Sequence, residues 1–400
     1  MSALSDPLLD SLYARAMRVR RRWFESRPSR RRTLARPVIS VGNLSMGGTG
    51  KTPVVGAIVE WLLANGERPA ILSRGYARTD PVEGVVVVSD GARVLASIEQ
   101  AGDEPLMLAR RFPHAIVCVS PDRYLSGTLA ERRLGATVHV LDDGFQHVGL
   151  ARDLDVLVTT IGEIPQGRVI PRGRLREAMD AAARAHLLVV TGATAGAASA
   201  EAWALGISQS CGVERQLGAP VPLGSKVPGF PPTRPEAATT DLADQPPLKL
   251  RRSAGALAKA EALSDPARAQ AGPANVRDGR VLAVAGIAHP ARFAEALKDA
   301  GWEIAEVMSF PDHHRYTKAD VERIERSRIA AGAGAVFTTD KDAVRFETIG
   351  PLPFSLYRVP QSLKFDPPDT LFASLRATLD RLRRDAAPHR VSAEQSGISA

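Results

Sequence analysis

Short apolar runs recur along the chain and alternate with stretches whose apolar residues fall at helical spacing. The first series comprises Val38-Ile39-Ser40-Val41, Ala70-Ile71-Leu72, Val85 to Val88, Ala115 to Val119 and Val138 to Leu141. Strands separated by helices in this way predict a mostly parallel sheet covered by helices. A second series predicts a second, smaller α/β lobe: Val156-Leu157-Val158, Leu187 to Val190, Val281 to Ala285, Val307-Met308, Ala335-Val336-Phe337 and Leu356 to Val359. The expected division is a first lobe over residues 37–154, a second over 155–365, and a helix at 366–384 that returns to the first. Residues 224–278 lose all periodicity and crowd Pro228, Pro231, Pro232 and Pro235 together, so a disordered insertion is expected there. A disordered tail is expected over 385–400.

Ahead of the first strand, Leu8, Leu9, Leu12, Tyr13, Ala16, Met17, Trp23 and Phe24 recur on a helical period, interleaved with Arg15, Arg18, Arg20, Arg21 and Arg22. Charge sharpens this picture. The chain carries a formal +8, of which residues 1–36 hold +7, from ten arginines against Asp6, Asp10 and Glu25. The basic character therefore belongs to an arm, whose partner would be nucleic acid or an anionic membrane. An amphipathic helix of this kind lies in a membrane interface or docks on its own domain with a solvated basic flank. No run of about 20 apolar residues predicts a spanning helix. Cys118 and Cys211 are too few for a disulfide framework or a cysteine zinc site, which fits a reducing compartment.

The strongest chemical signal follows the first strand. Ser45-Met46-Gly47-Gly48-Thr49-Gly50-Lys51-Thr52 is a phosphate-binding loop running into a helix that carries Pro53 in its first turn. Such a loop aims backbone N–H groups at phosphate oxygens, Lys51 reaches the terminal phosphates, and the Thr52 hydroxyl ligates Mg²⁺. Ser45 stands where the usual pattern has glycine. The run Val138 to Leu141 leads straight into Asp142-Asp143, placing two acids at a strand's C-terminal end, where either holds Mg²⁺ or both form a turn. Asp103, after Gly102 and before Pro105, reads as a helix N-cap or as an acid that accepts the proton of an attacking hydroxyl. Asp312-His313-His314-Arg315-Tyr316 and His289 offer histidines in loops, but no cluster completes a zinc set. Thr317-Lys318-Ala319-Asp320 matches the letters of a guanine-recognition element yet sits where a helix cap is expected, and Met46 occupies the position of the second lysine of partition-type ATPases. These leave a small-molecule or lipid kinase; a nucleotide-gated regulatory ATPase or GTPase without a lipid acceptor is the alternative.

The run from Gly42 to Pro53 resembles the signature of the tetraacyldisaccharide 4′-kinases of lipid A synthesis. So, in order, do Ser73-Arg74-Gly75-Tyr76, Gly102-Asp103-Glu104-Pro105, Leu141 to His147, Gly286-Ile287-Ala288, Asp312 to Tyr316 and Lys341-Asp342-Ala343. The resemblance covers about residues 8 to 380, the insertion excepted. It implies a P-loop NTPase-like lobe and a smaller α/β lobe closing around MgATP, and transfer of the γ-phosphate to the 4′-hydroxyl of a tetraacyldisaccharide 1-phosphate. Asp103 becomes the expected base, assisted by His313 or His314. Glu104 joins Thr52, Asp142 and Asp143 as expected Mg²⁺ ligands, and Arg123, Gln146, His147 and Glu177 become expected headgroup contacts. The arm's partner becomes the anionic inner membrane rather than nucleic acid. The protein is then expected to be a peripheral monomer on the cytoplasmic face.

Overall fold

The computed structural model describes residues 6–47, 50–76, 78–80, 83–164, 167–223 and 279–386, excepting the side chains of 6–11 and 386. Gly48 and Thr49 of the phosphate loop, the expected insertion at 224–278 and residues 387–400 of the expected tail lie outside them.

Two sheets organise the chain. The large one has nine strands: β1 (Val38–Gly42), β2 (Pro69–Ser73), β3 (Val86–Asp90), β4 (Ile116–Val119), β5 (Val138–Asp142), β6 (Leu154–Thr160), β7 (Leu187–Thr191), β8 (Ser210–Leu217) and β14 (Gln361–Asp366). Their order is β14-β8-β7-β6-β1-β5-β2-β4-β3, parallel throughout except for β3 against β4 and β14 against β8. The small sheet orders β11 (Ile304–Ser309), β10 (Val281–Ala285), β12 (Ala335–Thr339), β13 (Leu356–Val359) and the short β9 (Val221–Pro222).

This corrects the expected boundary at residue 155. Strand β6 pairs with β1 in parallel, Val41 opposite Val156, and β7 and β8 extend the same sheet outward. Their late place in the sequence suggests a new lobe, but each simply crosses over to the open side of β1, as parallel sheets allow. The large lobe continues to β8, and the small sheet begins at β9. The fully buried strands read as near-continuous apolar runs because helices cover both faces.

Ten helices complete the described chain: α1 (Asp6–Glu25), α2 (Lys51–Ala64), α3 (Ile98–Ala101), α4 (Asp103–Arg111), α5 (Arg123–Leu134), α6 (Ala195–Ala204), α7 (Pro290–Asp299), α8 (Lys318–Ala330), α9 (Asp340–Phe346) and α10 (Thr370–Ala386). Helix α2 buries Val54, Val55, Ile58, Val59 and Leu62 against the large sheet. Leu371, Leu375 and Leu379 of α10 join the same core, so the last helix packs on the large lobe. Thr317 caps α8 with Asp320 closing a capping box, as expected of the guanine-motif lookalike.

The lobes are joined by a two-stranded ribbon. Strands β8 and β14 pair antiparallel in the large sheet, β9 and β13 do so in the small one, and the Gly218 N–H donates to the Pro360 carbonyl at 2.8 Å between them. Pro360 is the single residue separating β13 from β14.

Helix α1 docks through its polar side. Arg18 and Arg21 meet Asp180, Arg21 is buried, and the Tyr13 hydroxyl donates to the Arg176 carbonyl at 3.0 Å. Leu12, Val19 and Trp23 face outward, at least half exposed. No helix among the described residues is long and apolar enough to cross a membrane.

Candidate active site

The cleft between the lobes is built from strand ends. Strand β1 delivers the phosphate loop, and α2 begins at Lys51 with Gly50 as its N-cap at φ 96°, a left-handed conformation that glycine supplies without strain. The Lys51 ammonium donates to Asn43 Oδ1 at 3.0 Å and lies 3.3 Å from Asp143 Oδ1. The adjacent Arg176 guanidinium binds Asp143 Oδ2 at 2.7 Å. Arg174 donates twice to the Met46 carbonyl, while the Met46 N–H donates to the Arg174 carbonyl. The first turn of the phosphate loop is thereby fixed to the segment before Arg176.

Strand β5 ends at Asp142 beside this loop. Burial pushes the Asp142 carboxyl up to about 7; the charges of Glu104 and Asp143 add to this, and Lys51 and Arg123 oppose it. Burial acts on Asp143 in the same sense, but Lys51 and Arg176 overcome it and pull that carboxyl below its ordinary value. The two neighbours are thus ranked. Asp143 is engaged by cations, whereas Asp142 is buried among like charges that a divalent cation would offset. Among the described residues no three acids or histidines converge into a ready-made metal cage. Mg²⁺ suits such a site, because it keeps several waters and binds through one or two carboxylates plus phosphate.

Asp103 is the second centre. Gly102, at φ 85°, is the N-cap of α4, so the expected capping role of Asp103 is not what its side chain performs. Its Oδ1 accepts the Glu104 N–H at 3.0 Å, and Oδ2 is bound from the other lobe. His313 Nδ1 lies 2.9 Å away, Arg345 Nη2 is in direct contact, and Lys341 Nζ stands at 3.9 Å. Lys341 donates to His313 Nε2 at 3.3 Å, which leaves the imidazole proton on Nδ1, directed at Asp103. Burial alone would raise the Asp103 carboxyl, but the His313 hydrogen bond, the Lys341 charge and the Arg345 guanidinium hold it well below the usual range. His314 does not share this role; its Nε2 meets Asp320 at 3.1 Å, on the cap of α8. Only two described non-glycine residues take left-handed backbone, His313 at φ 61° and Asp143 at φ 53°, and both line this cleft.

Behind Arg345 stands a buried support. Asp342 has no exposure and accepts from the Gly286 N–H, the Tyr316 and Thr339 hydroxyls and Arg345. A side chain at position 286 would meet Asp342 Oδ1 at 2.9 Å, which explains the glycine. The Gly286, Tyr316 and Lys341-Asp342 motifs therefore act together to aim Arg345 and Lys341 at Asp103.

The expected headgroup residues divide. Arg123 is buried, its Nε lacks a hydrogen-bond partner, and burial pushes it down to about 10. Burial, with the charges of Arg123 and Arg152, pushes His147 down to about 4. Gln146 donates to the Asn43 carbonyl at 2.8 Å. Glu177, by contrast, is buried with Arg184 on both oxygens at 2.8 and 2.9 Å and Arg21 at 3.9 Å, so it anchors α1. A cavity of about 170 Å³ opens between Thr52, Glu104, Met107, Phe293 and Lys341, and so has walls from both lobes. Sequence reasoning missed Arg176 and Arg345, whose only signal was their nearness in sequence to recognised motifs.

A family model described as Tetraacyldisaccharide-1-P 4'-kinase matches residues 6–380. The tetraacyldisaccharide 4'-kinase of Anaeromyxobacter sp. (strain Fw109-5) is 41% identical over 312 residues, 77% of this chain and 73% of that one. Its counterpart in Geobacter metallireducens is 38% identical over 343 residues, 85% and 86% of the two chains. Among solved structures, the "apo" form of LpxK from Aquifex aeolicus in complex with ATP superposes with a TM-score of 0.66 at 27% identity, covering 93% of this chain and 97% of that one.

Proposed function

This chain belongs to the tetraacyldisaccharide-1-P 4'-kinase family, and from that premise we propose how its own residues carry out the transfer. The enzyme is a lipid kinase of lipid A synthesis that moves the γ-phosphate of ATP to the 4′-hydroxyl of the disaccharide acceptor. Lys51 and the phosphate loop bind the phosphate chain. Lys51 must leave Asp143 and Asn43 to do so, which Arg176 permits by remaining on Asp143. Thr52 and Asp142 would hold Mg²⁺, with Glu104 facing the same space, and the ion would supply charge neutralisation on the phosphates.

Asp103 takes the proton of the 4′-hydroxyl. It stays ionised because the Lys341 and Arg345 cations and the His313 Nδ1–H, all from the small lobe, surround it, and its Oδ1 carries no side-chain donor, so a lone pair is free for the acceptor. His313 orients the carboxylate. Arg123 and His147 contact the headgroup, and Gln146 holds the loop bearing Asn43. The chain acts as a monomer on the cytoplasmic face of the inner membrane. Helix α1 would lie in the interface there, with Leu12, Val19 and Trp23 directed into the lipid and Arg15 and Arg22 toward anionic headgroups.

The meeting of a large-lobe carboxylate, Asp103, with His313, Lys341 and Arg345 of the small lobe beside the phosphate loop carries this reading. Purified protein given γ-labelled ATP and the disaccharide lipid should yield labelled lipid by chromatography. Label released only as free phosphate would overturn the reading.

A further inference from the structure

Arg215 lies on β8, three strands from β1, yet its side chain reaches back to the phosphate loop. A Cβ on Gly50 would stand 2.9 Å from Arg215 Nη2 and 3.2 Å from Thr191 Oγ1. The guanidinium thus borders the residue that caps α2, on the side of β1 opposite Asp142. Its Nε is buried without a hydrogen-bond partner. Burial pushes its proton affinity down, and the charge of Arg292 acts in the same sense. Arg292 is exposed on α7 of the small lobe, a helix that packs against β8.

Several arginines of this region are matched: Arg176 has Asp143, Arg184 has Glu177 and Arg345 has Asp103 and Asp342, whereas Arg123, an expected headgroup contact, is like Arg215 in lacking an ion pair among the described residues. Arg215 and Arg292 form no ion pair among the described residues. A desolvated guanidinium left facing a like charge lowers stability, and an anion bound between the two would offset that cost. Lys51, Asp142 and Asp143 occupy the other side of the loop, where the terminal phosphates and Mg²⁺ belong. The anion on the β8 side is then the part of the phosphate chain nearest the nucleoside.

We propose that Arg215 and Arg292 are a cation pair, drawn one from each lobe, that contacts the nucleoside-proximal phosphate and uses it to hold α7 against β8. The proposal rests on the kinase reading above. ATP binding and lobe closure become one event, because the same phosphate neutralises a charge from either side of the cleft.

The test compares the full chain with Arg215→Met and Arg292→Met, using MgATP, tripolyphosphate and adenosine as calorimetric probes and thermal melting without nucleotide. Arg215→Met should weaken MgATP and tripolyphosphate binding about tenfold or more, as expected for loss of a charge-assisted contact. It should leave adenosine unchanged and melt at the same or a higher temperature than the parent without nucleotide, since an unpaired buried charge is gone. Arg292→Met, at an exposed position, should weaken MgATP by a smaller factor and leave melting unchanged. Parental MgATP affinity in either variant overturns the pair, as does an equal loss for adenosine. A lower nucleotide-free melting temperature for Arg215→Met would mark it as a strut instead. A parent chain that binds no MgATP would refute the kinase reading itself, whereas a parent that binds beside an unaffected variant refutes only this pair.

Discussion

The two lobes contribute opposite charges to one cleft. The large lobe presents Asp103, Glu104, Asp142 and Asp143 around the phosphate loop; the small lobe answers with His313, Lys341 and Arg345, held from behind by buried Asp342. Each half is incomplete in a different way. The large lobe contains the phosphate loop and its acids on β1, α2 and β5, but Asp103, the proposed base, is oriented from outside. The small lobe serves as a frame for the Lys341 and Arg345 cations and the His313 imidazole. In the proposed reaction the chemistry is therefore divided: one lobe binds, the other conditions the base.

Breaking the large lobe's half should have the greatest effect. Lys51→Ala should lower single-turnover transfer by about 10³-fold or more, with the fold intact by thermal melting, because Arg176 still neutralises Asp143 and the main loss is charge on the phosphates. Near-parental transfer would remove the nucleotide assignment. Next comes the boundary itself. Asp103→Ala should cost about 10²- to 10⁴-fold in the chemical step with ATP affinity nearly unchanged, and His313→Ala clearly less. If the two act as a unit, the double variant should be less impaired than the product of the single losses; multiplicative losses would mean that the lobes contribute independently. His314→Ala should leave the chemical step nearly parental, its cost falling instead on the packing around Asp320, Phe310 and Tyr316.

Breaking the small lobe's frame should show first as lost stability. Arg345→Met leaves Asp342 buried without its cation and should cost about 3–5 kcal/mol in denaturant unfolding. A loss confined to catalysis would contradict the frame role. The smallest effect belongs to the large lobe alone. Burial holds the His139 imidazole below its ordinary 6.5, with Glu131 partly opposing. The unfolded chain takes up the proton first, so this contribution is intact above that pH and declines as pH falls through 6.5 toward the folded value. His139→Gln should flatten that part of the stability profile, and an unchanged profile would assign the slope to another group.

The large lobe's half was also the legible one. The phosphate loop and Asp142-Asp143 are contiguous in sequence, so local rules suffice. Arg345 was not legible, because its importance comes from an aspartate 242 positions away. The choice between His313 and His314 needed backbone direction, since only the left-handed turn at 313 points an imidazole into the cleft. Strand β8 escaped notice because Glu214, Arg215 and Gln216 break its apolar run where the strand leaves the core. The misplaced boundary at 155 came from equating chain order with spatial order, although β1 lies mid-sheet and can be extended on either side. The helix over Asp6–Glu25 was foreseen, but not that Arg18 and Arg21 would hold it to the protein while Leu12, Val19 and Trp23 face away.

The ribbon that joins the lobes has a mechanical consequence. Two hydrogen-bonded strands, crossing at Gly218 and Pro360, form a thin leaf that flexes readily across its face and resists shearing in its plane. A ribbon of this kind would reduce motion between the lobes toward a single angular degree of freedom. Along such a coordinate His313, Lys341 and Arg345 travel as one rigid pallet, so their separations from Asp103 grow and shrink in concert. A lesion in the leaf would loosen the timing of all three contacts while altering none of the residues that make them.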